Sequence, residues 1–470
     1  MASAVQIHHP GPGAAVASAA SELVSFFRCP EQYADLAIAG GLSSNQGYFT
    51  FAGAVCYGRA AGARPAEYFG DSLPATSVSG AQAGSRACLP FDLSDVIGNL
   101  RHEKYRRPPG SLIERLTSRK AARGIYYLLR PFLSVGIRKH LQKVRLAEWN
   151  RIAFPRWPVD CTVETILESV LASALKNAGV KRVPFIWFWP EGARSCVVMT
   201  HDLEGAAGRD FCGALMDLDD SYQFKSAFQL IPETAAHSWH ALADPIRARG
   251  FEVNLHDLNH DGYLFEDRAE FLARAARINR YARELDVRGF RSGAMYRQQQ
   301  WYGAFEFDFD MSVPNAAHLE PQRGGCCSVM PYFIGSLLEL PLTTTQDYSL
   351  FHILGDYSIA AWKRQVDEIT ARNGLVMFLT HPDYLAEPRA LEVYEALMEY
   401  LRDVRTAQPL WTAMPGEVDR WWRERSRMTL VRDGAGWRIE GDGRDRARIA
   451  YASLEGDRLV YTFDASSPRQ

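Results

Sequence analysis

No stretch of this chain comes near the run of about 20 consecutive apolar residues that a membrane-crossing helix needs, so no helical span is expected. An excess of charge of one sign is missing too: 53 Lys and Arg stand against 55 Asp and Glu, a formal net charge of −2. Nucleic acid is therefore not expected as the main partner, because phosphate binding needs a concentrated basic surface. The local run from Arg101 to Arg107 reads as a solvated helix face. The eight cysteines, Cys29, Cys56, Cys88, Cys161, Cys196, Cys212, Cys326 and Cys327, lack zinc-finger spacing, and in a chain of this length they do not form a disulfide framework pattern. Adjacent residues rarely bridge comfortably, so Cys326-Cys327 reads as a pair of small packing residues. The basic start of a secretory signal is also absent: an alanine-rich run, Ala14 to Ala20, precedes the first Lys or Arg, which is Arg28. The expected location is the cytoplasm. With 47% hydrophobic and 23% charged residues, neither disorder nor a fibrous class is indicated.

What is present is enough chain for several units, since single cores rarely grow past about 250 to 300 residues. Residues 1–22 mix Gly, Pro, Ala and Ser without period and read as a tail. Residues 23–182 read as an accessory region, mixed but mainly α. Tyr48-Phe49-Thr50-Phe51 and Val55-Cys56-Tyr57 suit paired strands, Asp92 or Ser94 can cap a helix, and further helical stripes fall at 111–129, 136–151 and 162–178. From 183 to 424 strand, loop and helix repeat. Strands are expected at 185–189, 196–199, 226–230, 252–255, 289–291, 307–308, 338–340 and 375–379, with helices at 234–249, 267–285, 357–372 and 390–404. Such alternation defines an α/β class with parallel strands and with polar motifs gathered at their C-terminal ends. Beyond Trp421-Trp422 the turn residues Asp433-Gly434, Gly441-Asp442-Gly443 and Glu455-Gly456-Asp457 break short strands, which implies a small antiparallel β appendage over 425–470.

The chemistry concentrates where two apolar runs end. Val197-Val198-Met199-Thr200-His201-Asp202-Leu203-Glu204 closes on two carboxylates two residues apart, which share one face if the extended geometry holds through them. Phe251 to Leu255 leads into His256-Asp257-Leu258-Asn259-His260, whose two imidazoles share one side if the segment makes a helical turn or a tight loop. Two imidazoles and a carboxylate are a common open ligand set for a catalytic divalent metal, usually zinc, and the spare carboxylate can act as a base. Standing alone, Asp202 and Glu204 would read as a helix cap and a solvated acid. Arg291 ends the 289–291 strand. Asp308 and Asp310 alternate with Phe307 and Phe309, and Asp308 is the preferred partner for His381 or Arg291. Tyr296 and Arg297 are candidates for lining a substrate entrance.

Five motifs in this order resemble the polysaccharide deacetylase family, carbohydrate esterase family 4, of NodB-like type. They are Thr200-His201-Asp202-Leu203-Glu204, His256-Asp257-Leu258-Asn259-His260, Arg291-Ser292-Gly293, Asp308-Phe309-Asp310 and Leu379-Thr380-His381-Pro382. The resemblance runs from Pro184 to Met414 and implies a distorted (β/α)7 barrel. Within the family it is nearest to a divergent bacterial group associated with surface polysaccharides. The first motif differs from the usual adjacent aspartates. Leu203 occupies the usual ligand position, and variants with the acids separated by one residue make Glu204 the ligand and Asp202 the base. An exchange of those two roles stays open. The family's arginine, here Arg291, keeps the base ionised, and its late histidine, here His381, is a general acid. Asp257 stands where the family has Ser or Thr, and Gly293 where it has Pro.

The implied activity is metal-dependent removal of an N-acetyl or other acyl group from an amino sugar in surface polysaccharide biosynthesis. The divalent metal ion, Zn²⁺ by family likeness, would be held by Glu204, His256 and His260. A non-sugar C–N bond (formamide, imide or ureide) is the alternative substrate. A catalytically inactive glycan-binding barrel is the alternative of another class.

Overall fold

The computed structural model describes residues 19–34, 36–70, 72–78, 87–106, 143–234, 239–434, 436–456 and 458–463. The tail before residue 19, the helix expected at 111–129 and the first residues of the one expected from 136 lie outside them.

Val197, Val198 and Met199 form the middle of β1 (Ser195–Leu203), all nine residues of which are buried. A continuous apolar run suits a strand covered on both faces, as parallel sheets are. β1 lies between β2 (Ala227–Leu230) and β7 (Leu375–Thr380). The sheet continues from β2 through β3 (Glu252–His256), β4 (Gly289–Arg291) and β5 (Phe309–Asp310) to β6 (Leu337–Glu339). All these pairings are parallel. A short strand β8 (Leu410–Thr412) adds to the start of β1, and Tyr332–Ile334 pairs antiparallel with β6 at the edge.

Helices return the chain over the outer face. They are α1 (Ala206–Ser221) after β1, α2 (Trp239–Ala248) after β2, α3 (Arg268–Leu285) after β3 and α4 (Ala360–Thr370) before β7. The short α5 (Pro382–Leu385) and α6 (Pro388–Ala407) follow β7. After β4 the alternation lapses into the 3₁₀ turns Gly293–Met295 and Gln299–Ala304. The sheet therefore curls as a half-barrel, an α/β architecture that fits a distorted barrel. At the open seam, threonine side chains supplement the backbone hydrogen bond from Thr344 N to the Met377 carbonyl (3.3 Å). Thr343 Oγ1 donates to the Leu375 carbonyl (2.7 Å) and accepts from Met377 N (2.8 Å), and Thr344 Oγ1 donates to the Met377 carbonyl (2.8 Å).

The period of two along β1 and β7 divides two cores. Cys196, Val198, Leu375, Met377 and Leu379 face the inner cluster, which is continuous with the amino-terminal region. Val197, Met199, Leu203, Val376 and Phe378 face the helices. The same parity sorts the polar residues at the end of β1: Thr200 and Asp202 inherit the inner face, while His201 is turned outward among helices.

The strand expected at 185–189 is corrected: Arg182–Ile186 is not part of the half-barrel. It pairs antiparallel with Ile449–Glu455, which also pairs with Arg458–Phe463, so the carboxy-terminal strands are completed by a strand that precedes β1 in sequence. The strand expected at 307–308 begins two residues later, at Phe309. Asp92 caps the helix Leu93–Arg101 by accepting from Asp95 N (3.1 Å). All eight cysteines are free thiols, and Cys326 and Cys327 are fully buried.

Candidate functional site

The C-terminal ends of β1, β3, β4 and β7 lie along one edge of the sheet, with β2 between β1 and β3, and register brings their polar residues level. Arg291 pairs with His256, and His201 pairs with Thr380. Asp202 is 2% exposed, and its Oδ1 accepts from Arg291 Nη1 at 2.8 Å. The same guanidinium donates to Thr200 Oγ1 (2.9 Å) and, through Nε, to the Met311 carbonyl (3.2 Å). Burial pushes the Asp202 carboxyl up, but Arg291, then His256 and His381, outweigh it and hold the group below the usual carboxylate range.

Glu204, one residue past the end of β1, projects to the same side. Its Oε1 lies 3.0 Å from His260 Nε2, 3.7 Å from His256 Nε2 and 3.7 Å from His381 Nε2. Burial opposes its ionisation, yet the facing imidazoles, His260 first, hold it well below the ordinary value. His256 and His260 meet through a tight loop. Asp257 and His260 both have positive φ, 56° and 57°, which turns the two rings together with centroids 4.9 Å apart.

On the opposite side His381 follows β7. Its Nδ1 is 2.7 Å from Asp347 Oδ1, and its backbone N–H donates to Asp347 Oδ2 at 2.7 Å. Burial alone would lower this imidazole's pKa. The adjacent Asp347 carboxylate, with Glu204 and Asp202 behind it, raises it to about 10, so the ring is cationic at neutral pH.

The donor set fits a divalent cation. The ligand atoms of Glu204, His256 and His260 lie within 4.8 Å of one another. Donors held about 2.0–2.1 Å from a tetrahedral zinc stand roughly 3.4 Å apart, close to the separations found here. His256 adds a sharper observation. Its Nδ1 faces the Arg291 carbonyl at 3.2 Å, which can only accept, so Nδ1 carries the proton. Nε2 is then the lone-pair side. It is buried, has no hydrogen-bond partner, and points at two carboxylates, Asp202 Oδ2 at 3.5 Å and Glu204 Oε1 at 3.7 Å. Lone pairs facing one another at a buried nitrogen call for a cation between them, either a proton on Nε2 or a metal ion.

Two expected site residues stand elsewhere, and the structure corrects them. Asp308 precedes β5, at the end of the sheet away from the cluster. Its side chain is 47% exposed and pairs with Arg288 at 3.5 Å. Its proposed partnership with His381 belongs to Asp347, on the long segment between β6 and α4. Asp310 turns inward but bonds Ser312 (2.8 and 3.0 Å) and neighbours Glu339. Burial pushes both of these carboxyls up. The Arg297 side chain is committed elsewhere: it is 1% exposed and forms a two-pronged ion pair with Glu103 of the amino-terminal region, Nε to Oε2 at 2.7 Å and Nη2 to Oε1. Tyr296 and Arg297 border a small surface hollow with Gly262, Phe265, Gln298 and Gln322 beyond the His260 loop.

Asp347 and Asp383 belong to none of the five sequence motifs. Asp347 ends the polar run Thr343-Thr344-Thr345-Gln346-Asp347, which follows an apolar strand as the motifs do, and that was the available signal. His201, where the resembled family has Phe, is fully buried. Its Nδ1 meets Thr380 Oγ1 (2.8 Å) and its Nε2 meets Asp219 Oδ2 (3.1 Å), while Asp219 also accepts from Tyr394 and Ser226 (each 2.6 Å).

Fold and cluster together define an α/β half-barrel with three potential ligand groups, Glu204, His256 and His260, gathered at its strand ends. No family model and no curated protein matches the chain. Among solved structures it is similar to a candidate polysaccharide deacetylase from Mycobacterium smegmatis, at 18% identity over 51% of this chain and 93% of that one, with a TM-score of 0.41. It is similar to Puue allantoinase at 14% identity over 50% and 92% of the two chains, TM-score 0.41. It is also similar to the peptidoglycan deacetylase PdaC from Bacillus subtilis, at 11% identity over 49% and 92%, TM-score 0.29.

Proposed function

We propose that this protein is a metal-dependent hydrolase that removes an acyl group, N-acetyl foremost, from an amino sugar of a surface polysaccharide or its precursor. The observation that carries the reading is the buried His256 Nε2, without a hydrogen-bond partner, facing Glu204 and Asp202 with His260 beside it. Glu204, His256 and His260 hold a divalent ion, zinc by the chemistry of the set. An ion held there would supply Lewis acidity toward an amide carbonyl and a water.

The chain's own groups do the rest. Asp202, kept ionised by Arg291, takes a proton from the attacking water as general base. His381, kept protonated by Asp347, gives one to the departing amine as general acid. The cation on His381 and the carboxylate on Asp202 flank the cluster, so the two proton transfers occur on opposite sides of it. β1 to β7 are read as the seven strands of a distorted (β/α) barrel over 183–424, with 23–182 as an accessory region and 425–470 as a β appendage.

The test is metal content followed by a substrate panel. Purified protein is expected to carry one zinc per chain, to lose it in H256A, and to release acetate from N-acetylated amino sugars. Release from N-formyl or ureide compounds alone would redirect the substrate class. Protein that takes up no divalent metal would overturn the reading.

A further inference from the structure

The geometry points to Asp383 as a positioning residue that fixes the Glu204 ligand and ties it to His381; this rests on the reading of Glu204 as a metal ligand. The ladder of β1 ends at Leu203, paired with Leu230, and Glu204 lies beyond it. The amide of Glu204 goes instead to a residue of α5. Asp383 Oδ2 accepts from Glu204 N and Gly205 N, each at 3.2 Å, and Oδ1 accepts from Gly208 N at 3.0 Å.

Gly205 N and Gly208 N are among the N–H groups that the start of α1 leaves without helical partners. The cap residue of α1 is Gly205, which has no side chain to satisfy them, so a carboxylate from the far side of β1 does so. A negative group there is also favoured by the helix dipole. Two glycines make the room. A Cβ on Gly205 would stand 2.4 Å from Asp383 Oδ1, and one on Gly208 would stand 2.3 Å from Oδ2.

Asp383 lies two residues after His381, whose φ and ψ cap α5. One short turn therefore carries the proton donor and anchors the backbone of the ligand, so beyond the β1–β7 ladder Glu204 is tied to the His381 turn by three N–H bonds to the Asp383 carboxylate. Outer partners of this kind set ligand orientation, and their loss typically lowers metal affinity about 10–100-fold.

The experiment is zinc titration of metal-stripped full-length protein against a chromophoric chelator, with thermal melts of the stripped proteins alongside. Wild type, D383N, D383A and G208A are compared; in G208A the aspartate is kept but displaced by the added methyl. D383A and G208A are expected to bind zinc about 10–100-fold more weakly, and D383N less so, because its amide oxygen still accepts. If D383A does not fold, G208A and D383N carry the comparison. Wild type that binds zinc beside variants of unchanged affinity overturns the role of Asp383 alone. Wild type that binds none overturns the metal reading and this role with it.

Discussion

Asp257 Oδ2 accepts the backbone N–H of Gly293 at 3.1 Å, joining the loop that carries His260 to the loop after Arg291. The same carboxylate accepts from Leu258 N at 2.7 Å, and Asp257 is 1% exposed. A Cβ on Gly293 would stand 2.4 Å from Asp257 Oδ2 and 3.0 Å from His260 Cδ2. Asp257 and Gly293 are the two places where this chain has an acid for Ser or Thr and a glycine for proline, relative to the family it resembles. Proline has no N–H to give and no room to stand, so the two departures are one arrangement.

G293P alone therefore leaves a buried carboxylate oxygen unpaired and pushes the His260 loop. A loss on the order of 2–4 kcal/mol is expected in denaturant unfolding. Combining it with D257T should recover part, giving a coupling of at least about 1 kcal/mol in a double-mutant cycle. Additive effects would mean that the two residues act independently.

The two acids of the first motif should separate cleanly. D202N is expected to keep zinc within a few-fold and to lose about 10²–10⁴-fold in kcat, the range for removal of a general base. E204Q should lose zinc by more than the roughly 10–100-fold of an outer partner. The opposite pattern, read by metal analysis and single-turnover rates, would exchange the roles.

For His381 the sign is set by Asp347. Its folded pKa, about 10, is raised above the ordinary 6.5. The stabilisation is thus fully present below about pH 6.5 and is lost as pH rises through about 10. D347N lowers the folded value, so the alkaline limb of the rate profile is expected to move to lower pH. At pH 8 the rate should fall about 10²-fold, with partial recovery toward pH 6. An unmoved limb in D347N would assign that limb to another group.

Arg297 and Glu103 offer a test of the corrected role. Glu103 is 6% exposed and also accepts from Gly325 N at 2.6 Å. R297M removes the nearer of two cations and leaves the buried carboxylate only Arg106 Nη1 at 3.6 Å, so a loss of about 3 kcal/mol, the lower end of the range for breaking a buried pair, is expected in equilibrium unfolding. E103L/R297M should be much less destabilised than R297M. A change in KM without a change in stability would return Arg297 to the substrate.

What the sequence alone determined was everything carried by local period. Alternation of two placed Asp202 and Glu204 on one face, close spacing joined His256 to His260, and apolar runs between helical stripes marked the parallel strands and their polar ends. The tertiary structure alone decided the partners, since burial and hydrogen bonding select them across long separations and leave no local pattern. Asp347 is 34 residues from His381, Asp383 is 178 from Gly205, and Glu103 is 194 from Arg297. Asp308 and Asp310 share a parity in sequence, yet the strand starts at Phe309, so one lies at the wrong end in solvent and the other is sealed inside. His201 took an apolar position in a buried strand, and only the packing of α1 and α6 supplied Asp219 and Tyr394 to satisfy that network.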